Sequence, residues 1–136
     1  MGEQVVYICP KCLKHHYVSV GPFFLSPGDP AAIEEGFYGR QAKRNFERHP
    51  GKSAFFEHVV FRCDCGHARS KRVMTIFGDE MAPWDMGPDR NIVWHNARCR
   101  CPRCGRSMHP ARDLPRRIRC TCGEWTEGYR CECLFD

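Results

Sequence analysis

The hydrophobic pattern of the chain consists of short runs rich in β-branched and aromatic residues. Three of these runs, bounded by Gly, Pro or Asp, are Val5–Ile8, His58–Arg62 and Lys71–Phe77. A fourth, Leu13–Val20, has mixed polar and apolar faces. Runs of this length and makeup predict strands. We therefore expect two small antiparallel sheets built from short strands.

A helical spacing of apolar residues lies between the second and third strands along the chain. It is formed by Ile33, Phe37, Ala42 and Phe46. Asp29 is a suitable N-cap and Pro30 suits the first helical position, which predicts a helix at about 29–49. Gly36 and Gly39 interrupt this pattern, so two shorter helices are the alternative.

The size and cysteine content of the chain indicate that something besides an apolar core stabilises it. The 136 residues include 11 cysteines, and units below roughly 70 residues rarely gain enough stability from a core alone. The chain starts without a secretory pattern, and no apolar run reaches the ~18 residues of a membrane span. We expect a cytoplasmic, reducing compartment with no membrane partner, where close cysteine pairs bind metal more often than each other.

Eight of the cysteines form four short hairpin motifs, which we call knuckles 1 to 4. They are Cys9-Pro10-Lys11-Cys12, Cys63-Asp64-Cys65-Gly66, Cys101-Pro102-Arg103-Cys104 and Cys120-Thr121-Cys122-Gly123. Two such turns together make a tetrahedral cage of four sulfurs, which suits structural Zn²⁺. An iron site of the rubredoxin kind uses the same four sulfurs.

The spacing of the knuckles predicts which of them share a metal. Knuckles 3 and 4 are separated by 15 residues, the usual zinc-ribbon spacing, and predict site 2. Knuckles 1 and 2 are 50 residues apart and are paired as site 1 because no nearer partner exists. The predicted ligands are Cys9, Cys12, Cys63 and Cys65 at site 1, and Cys101, Cys104, Cys120 and Cys122 at site 2.

This pairing predicts a small metal-stabilised α+β fold with one zinc ribbon in each half of the chain. The first ribbon spans 1–80 and contains the helical insertion, and the second spans 96–136. Residues 81–95 form an ordered linker, since Trp84 and Trp94 are too apolar for a solvated tether. His15, His16 and His67 adjoin site 1 and are expected to be solvent-facing turn residues.

Three further cysteines lie at the edges of the second ribbon. Cys99, Cys131 and Cys133, with His95 or His109, would form a third zinc site, so that the chain would hold two or three zinc ions. The first alternative is that they are ordinary buried thiols. The second is that Cys131 and Cys133 replace Cys120 and Cys122 at site 2.

The charge of the chain is weaker evidence for a polyanionic partner than it first looks. A Zn²⁺ held by four thiolates adds about −2, so two sites bring the formal net charge of +5 close to +1. Only local basic patches then support partner binding. The candidates are Arg40, Lys43, Arg44, Arg103, Arg106, Arg116 and Arg117. The alternative is that these residues solvate the surface and offset the charge of the metal sites.

The order of these motifs resembles an uncharacterised family of small bacterial proteins with two rubredoxin-like zinc ribbons, the first with a helical insertion. The resemblance spans nearly the whole chain. Besides the four cysteine pairs, it is carried by Gly36-Phe37-Tyr38-Gly39, His49-Pro50, Phe61-Arg62 and Pro83-Trp84-Asp85. It implies the fold and the metal but no activity. Cys99, Cys131 and Cys133 depart from its pattern.

The function that these features predict is binding without catalysis. We expect a zinc-ribbon adaptor that docks on a protein or ribonucleoprotein assembly. Direct nucleic-acid binding is the alternative, with Trp94, Trp125 and Tyr129 as aromatic candidates beside the arginines. An enzyme with a small-molecule substrate is disfavoured, because a catalytic zinc needs an open position and both predicted sites are closed by four sulfurs.

Overall fold

The computed structural model describes residues 2–22, 30–78 and 92–131. These residues form a small, mostly antiparallel β structure with two short helices. The strands are β1 Glu3–Ile8, β2 His15–Pro22, β3 Ser53–Arg62, β4 Ala68–Phe77, β5 Ile92–His95, β6 His109–Ala111, β7 Arg117–Arg119 and β8 Trp125–Cys131. The helices are α1 Pro30–Glu34 and α2 Arg40–Arg48. The four sequence-predicted strands are confirmed, as β1, β2, β3 and β4.

The chain divides into two compact units that are discontinuous in sequence. Unit 1 comprises Met1–Phe24, Glu57–Arg72 and Ala97–Asp136. Unit 2 comprises Leu25–Phe56 and Val73–Asn96. These units do not follow the expected division into 1–80, 81–95 and 96–136. Trp84 and most of the expected linker lie outside the described residues.

Unit 1 is built around β1, which pairs with β2 on one side and β8 on the other, both antiparallel. Beyond β8 lies β7, and β2 continues to β3, which pairs with β4 and β6. Because successive side chains of a strand point to opposite faces, Val5 and Tyr7 of β1 are buried while Val6 lies on the opposite face. The core comprises Val5, Tyr7, Val18, Val60, Ala68 and Ile118.

Tyr7 anchors this core through both its ring and its hydroxyl group. The side chain is fully buried, and its hydroxyl donates a hydrogen bond to the carbonyl of Pro115. Burial raises the pKa of Tyr7 to about 12. The phenol therefore stays neutral at physiological pH and fixes the segment that leads into β7.

Unit 2 contains both helices, β5 and the unit's own parts of β3 and β4. Gly36 and Gly39 have positive φ and separate α1 from α2, so the two-helix alternative is the observed one. Pro30 opens α1 as predicted, whereas Asp29 lies outside the described residues. Of the predicted apolar positions Ile33, Ala42 and Phe46 are buried, but Phe37 is exposed because it lies in the turn between the helices.

Stacked rings and a short strand complete unit 2. Tyr38 stacks on Phe56 with ring centroids 4.6 Å apart, and His49 stacks on Trp94 at 5.8 Å. β5 pairs antiparallel with β4, with Thr75 opposite His95. In the part of the chain that the structure describes, neither helix is long and apolar enough to span a bilayer.

Candidate metal centres

The four knuckles share one pattern of backbone hydrogen bonds. In each, the amide of the first cysteine donates to a carbonyl beyond the turn, and the residue after the second cysteine donates to the carbonyl of the first. The bonds are Cys9 N to Lys14 O and Leu13 N to Cys9 O; Cys63 N to His67 O and Gly66 N to Cys63 O; Cys101 N to Arg106 O and Gly105 N to Cys101 O; Cys120 N to Glu124 O and Gly123 N to Cys120 O. These bonds turn the chain back on itself at every knuckle and so bring its two cysteines close together.

The residue after the second cysteine has positive φ in all four turns. It is glycine in three of them, Gly66, Gly105 and Gly123, at φ of 97°, 75° and 98°. Glycine adopts this conformation without the steric cost of a side chain. Knuckle 1 instead has Leu13 at φ 62°, with its side chain 70% exposed. The residue after the second cysteine therefore adopts positive φ in knuckle 1 as well, although the β-carbon of Leu13 disfavours this conformation.

Two groups of four cysteines result, and both lie in unit 1. The Cys9 cluster is Cys9, Cys12, Cys120 and Cys122, and the Cys63 cluster is Cys63, Cys65, Cys101 and Cys104. Within each cluster all four sulfur atoms lie within 4.8 Å of one another. Each cluster joins one Cys-x-x-Cys knuckle to one Cys-x-Cys knuckle, so eight cysteines supply two sets of four thiolate ligands.

The sulfur–sulfur distances fit a shared metal ion. Sγ of Cys9 lies 3.6 Å from Sγ of Cys122, and Sγ of Cys63 lies 3.3 Å from Sγ of Cys104. A tetrahedron with metal–sulfur bonds of ~2.3 Å has edges of about 3.8 Å, whereas a disulfide brings its sulfurs to about 2.05 Å. The two clusters can therefore hold metal ions, Zn²⁺ or another ion that accepts four thiolates.

The grouping corrects the predicted sites: knuckle 1 joins knuckle 4, and knuckle 2 joins knuckle 3. β1 ends at Ile8, directly before knuckle 1, and β8 begins at Trp125, two residues after knuckle 4. Their antiparallel pairing, with Tyr7 opposite Gly128, brings these two ends together. In the same way β3 ends before knuckle 2, and Arg62 pairs with His109 of β6 just after knuckle 3. The predicted pairing of knuckles within each half of the chain is wrong, because the strands that bring two knuckles together come from distant segments of the chain.

Thiol acidity differs within each cluster. Hydrogen bonding from the backbone of Cys12 lowers the pKa of Cys9 to about 6, although burial opposes the shift. Burial raises the pKa of Cys63 to about 12. Burial by itself would raise the pKa of Cys65. Hydrogen bonds from the His67 backbone, Cys63 and Arg103 outweigh this effect and lower the pKa to about 6. Cys9 and Cys65 therefore ionise more readily than an ordinary thiol and Cys63 less readily, so metal uptake by the Cys63 cluster releases protons.

Two histidines lie between the clusters. Nε2 of His16 lies 3.2 Å from Sγ of Cys120, and Nδ1 of His67 donates to the carbonyl of Arg119 at 2.8 Å. The two rings pack edge to face with centroids 5.6 Å apart. Burial lowers the pKa of both, which keeps them neutral at pH 7. The prediction that both face solvent is wrong, since His16 is half-buried and His67 is 3% exposed. Only His15 is exposed as expected.

Replacing His16 by alanine is expected to weaken metal binding at the Cys9 cluster by about 10- to 100-fold. Its Nε2–H donates to the Cys120 thiolate, and loss of such an outer hydrogen bond typically costs this much affinity. Competition with a chromogenic chelator measures the affinity of each cluster. His15→Ala is the matched control, because His15 is the exposed neighbour on the opposite face of β2. Equal affinities in the two variants would contradict the assigned role of His16.

Trp125 and β7 connect the clusters further. The Arg119 amide donates to the Gly66 carbonyl at 2.9 Å. The Trp125 ring packs so closely on Gly66 that a β-carbon there would lie 2.7 Å from Cη2. The guanidinium groups of Arg117 and Arg119 lie 4.8 and 4.9 Å from the centre of this ring. These contacts fix knuckle 2, which belongs to the Cys63 cluster, against β7, which leads directly into knuckle 4 of the Cys9 cluster.

The predicted third site remains a prediction. Cys133 lies outside the described residues, and the side chain of Cys131 is not described. Sγ of Cys99 lies 3.8 Å from Sδ of Met108, and in the described part of the chain Cys99 belongs to neither cluster. His109 is exposed on β6, and Nδ1 of His95 lies 2.7 Å from Oγ1 of Thr75. The alternative in which Cys131 and Cys133 replace Cys120 and Cys122 is wrong, since the latter pair completes the Cys9 cluster.

All seven predicted partner-binding residues are exposed. Arg40, Lys43 and Arg44 lie on α2 in unit 2, and Arg103, Arg106, Arg116 and Arg117 lie in unit 1. Two of them have additional contacts. The backbone amide of Arg103 donates to Sγ of Cys101 at 3.4 Å, and Arg117 lies over Trp125. Arg103 therefore has a structural role, since its amide donates to a sulfur atom of the Cys63 cluster.

One face of unit 1 exposes a row of aromatic side chains, which we call the tyrosine face. Tyr17 of β2 and Tyr129 of β8 both pair with Val6 of β1, so all three lie on the same side of the sheet. Tyr17 is 58% exposed and Tyr129 61% exposed. Trp125 lies on this side too, because it is four residues before Tyr129 on β8. The sequence suggested Trp125 and Tyr129, but Tyr17 could not be recognised without the register.

The fold and the sites define a small, mostly antiparallel β protein with two four-cysteine clusters suited to metal. Comparison of the chain with protein-family models, with curated proteins and with solved structures gives no match.

Proposed function

We propose that this protein is a non-catalytic zinc-ribbon adaptor that docks on a protein or ribonucleoprotein assembly through the tyrosine face. The observation that carries the proposal is the row of Tyr17, Val6 and Tyr129. Both tyrosines are exposed, and they lie on either side of Val6 of β1, on the two strands that pair with β1. Tyrosine, tryptophan and arginine are the residues most enriched at the centres of protein interfaces. The face contains all three, since Arg117 and Arg119 flank Trp125.

The metal clusters support a structural role. A catalytic zinc keeps one coordination position open, whereas four sulfurs complete the tetrahedron in each cluster. Zinc is the ion we propose for both, and iron at either cluster is the alternative that elemental analysis separates. The cytoplasm is the compartment that we propose, because eight ligands must stay reduced to bind metal.

Replacing both tyrosines by serine is expected to abolish capture of the partner assembly while leaving the fold intact. Two exposed rings contribute little to folding, but interface hot spots cost about 2 kcal/mol or more each when truncated, so the double change lowers affinity by roughly 1000-fold if the effects add. The measurement is affinity capture from native extract with the immobilised protein, followed by mass identification of what the parent retains and Tyr17→Ser/Tyr129→Ser loses.

The control is the triple variant Arg40→Glu/Lys43→Glu/Arg44→Glu on α2. It tests the other predicted contact surface by charge reversal, and exposed helix charges contribute only tenths of a kcal/mol to stability. The tyrosine face is the docking surface if only the double serine variant loses the partner. Loss in the α2 variant alone would move the docking site to unit 2 and overturn the proposal.

A further inference from the structure

A second surface of unit 1 concentrates positive charge around one groove. The groove has a volume of about 350 Å³ and is lined by Arg69, Lys71, Arg98, Cys99 and Arg100. We call it the basic groove. Four of its five lining residues carry a positive charge and none carries a negative charge. The sequence did not predict it, since it joins residues of β4 to a segment nearly 30 positions later.

The backbone explains why these four side chains converge. Arg69 and Lys71 are two residues apart on β4, so they project from the same face of the strand. Arg98 and Arg100 are also two residues apart, in a segment fixed by a bridge between Arg100 and Ser107 and by a hydrogen bond from Met108 N to Cys99 O. The Lys71 ammonium donates to the Arg98 carbonyl at 2.7 Å, which joins the two segments.

The electrostatics of the groove favour an anionic ligand. Arg69, Arg98 and Arg100 are exposed, and the structure gives none of these three an ion pair with a described acidic residue. Like charges held together repel one another, and a bound anion relieves this repulsion. Arginine is suited to phosphate, because its planar guanidinium donates two parallel hydrogen bonds to phosphate oxygens.

We propose that the basic groove binds the phosphate backbone of single-stranded nucleic acid. Residues two apart on an extended chain are separated by about 6.7 Å, which is comparable to the separation of successive phosphates along a strand. Two such pairs facing one groove form a track for consecutive phosphates rather than a pocket for one isolated anion. This inference rests on the proposed function and specifies it: the assembly on which the protein docks contains exposed single-stranded nucleic acid.

The test uses the whole metal-loaded protein and a fluorescein-labelled single-stranded RNA of mixed sequence. Anisotropy titrations at several salt concentrations give the affinity and its salt dependence. The groove variant is Arg69→Gln/Arg98→Gln/Arg100→Gln, which keeps Lys71 and its hydrogen bond to the Arg98 carbonyl. The control, Arg48→Gln/Lys52→Gln/Arg112→Gln, removes the same charge at three exposed residues that do not line the groove.

The expected result is binding by the parent and the control, and loss in the groove variant. Each phosphate contact on a single strand contributes ~0.7 to the slope of log affinity against log salt, so three lost contacts lower the slope by about 2. Affinity near physiological salt should then fall by at least roughly tenfold. Elemental analysis should show the same metal content in all three proteins, which excludes misfolding as the cause.

Three results would overturn the inference. The first is that the parent does not bind the RNA, and the second is that the groove variant and the control weaken binding equally, which would indicate net charge alone. The third is that polyglutamate or inorganic phosphate displaces the RNA at the same charge concentration as unlabelled RNA does, which would assign the groove to acidic peptides or to free phosphate. Each of these leaves partner capture through the tyrosine face intact, so failure here is distinguishable from failure of the proposed function.

Discussion

Removal of the metal by a strong chelator is expected to unfold unit 1 of this protein. The core of the unit is small, and β6 and β7 contain only three residues each. Binding of a structural zinc ion contributes about 10–16 kcal/mol in small zinc domains, which is as large as the whole stability of a typical domain, about 5–15 kcal/mol. Without the cation, sulfur atoms 3.3–3.7 Å apart lose the shared ligand that joins the knuckles of each cluster.

The measurement follows the methyl signals of Val5 and Ile118 by NMR, together with the thermal transition, before and after chelation. Both residues are buried in unit 1, so their signals should collapse to unfolded positions and return when the metal is restored. Calorimetry should show loss of the cooperative transition of this unit. A metal-free chain that kept dispersed Val5 and Ile118 signals would show that the core is sufficient without metal.

Serine substitution of whole knuckles is expected to give a non-additive pattern of metal loss. Cys9→Ser/Cys12→Ser and Cys120→Ser/Cys122→Ser should each lose one ion per chain, and their combination should lose no more than one. Combining Cys9→Ser/Cys12→Ser with Cys63→Ser/Cys65→Ser should instead lose two. The reason is that knuckles 1 and 4 complete one cluster, whereas knuckles 1 and 2 belong to different clusters.

Elemental analysis of purified variants, referenced to protein concentration, measures this pattern. The pairing expected from knuckle spacing predicts the reverse: two ions lost for knuckles 1 and 4, and one for knuckles 1 and 2. The internal control is the cluster that keeps all four of its cysteines. It should retain its ion in every variant in which it is left unchanged. The experiment therefore distinguishes the two groupings by which combination is additive.

The local features of the metal sites could be predicted from sequence, but their assembly could not. Each knuckle needs only a few residues, and the sequence shows the cysteines together with Gly66, Gly105 and Gly123 at the positive-φ positions. Strand propensity likewise identified β1 to β4. These features depend on short-range sterics and hydrogen bonds, which a sequence motif displays directly.

The grouping of the knuckles depends instead on which distant strands pair. β1 and β8 are separated by more than 100 residues, and their register follows from the burial of Val5 and Tyr7 on one face. Knuckle spacing does not contain this information. The shortest loop lies between knuckles 3 and 4, and it led to the wrong pairing. Longer loops cost only slightly more closure entropy, so loop length is a weak guide to which knuckles share a metal.

The same long-range pairing determines the surfaces that sequence analysis missed. Tyr17 joins Tyr129 only because β2 and β8 flank β1 in matching register. The basic groove exists because β4 lies next to the segment that precedes knuckle 3. His16 was expected to face solvent, yet the neighbouring Cys120 comes from knuckle 4. In each case the decisive neighbour is distant along the chain.

Cadmium-113 NMR of the metal-exchanged protein tests the shared-knuckle arrangement most directly. Scalar coupling between each cadmium and the β-protons of its cysteine ligands identifies all ligands of each ion in one spectrum. We expect one cadmium coupled to Cys9, Cys12, Cys120 and Cys122, and a second coupled to Cys63, Cys65, Cys101 and Cys104. A cadmium coupled to Cys9, Cys12, Cys63 and Cys65 would contradict the shared-knuckle arrangement.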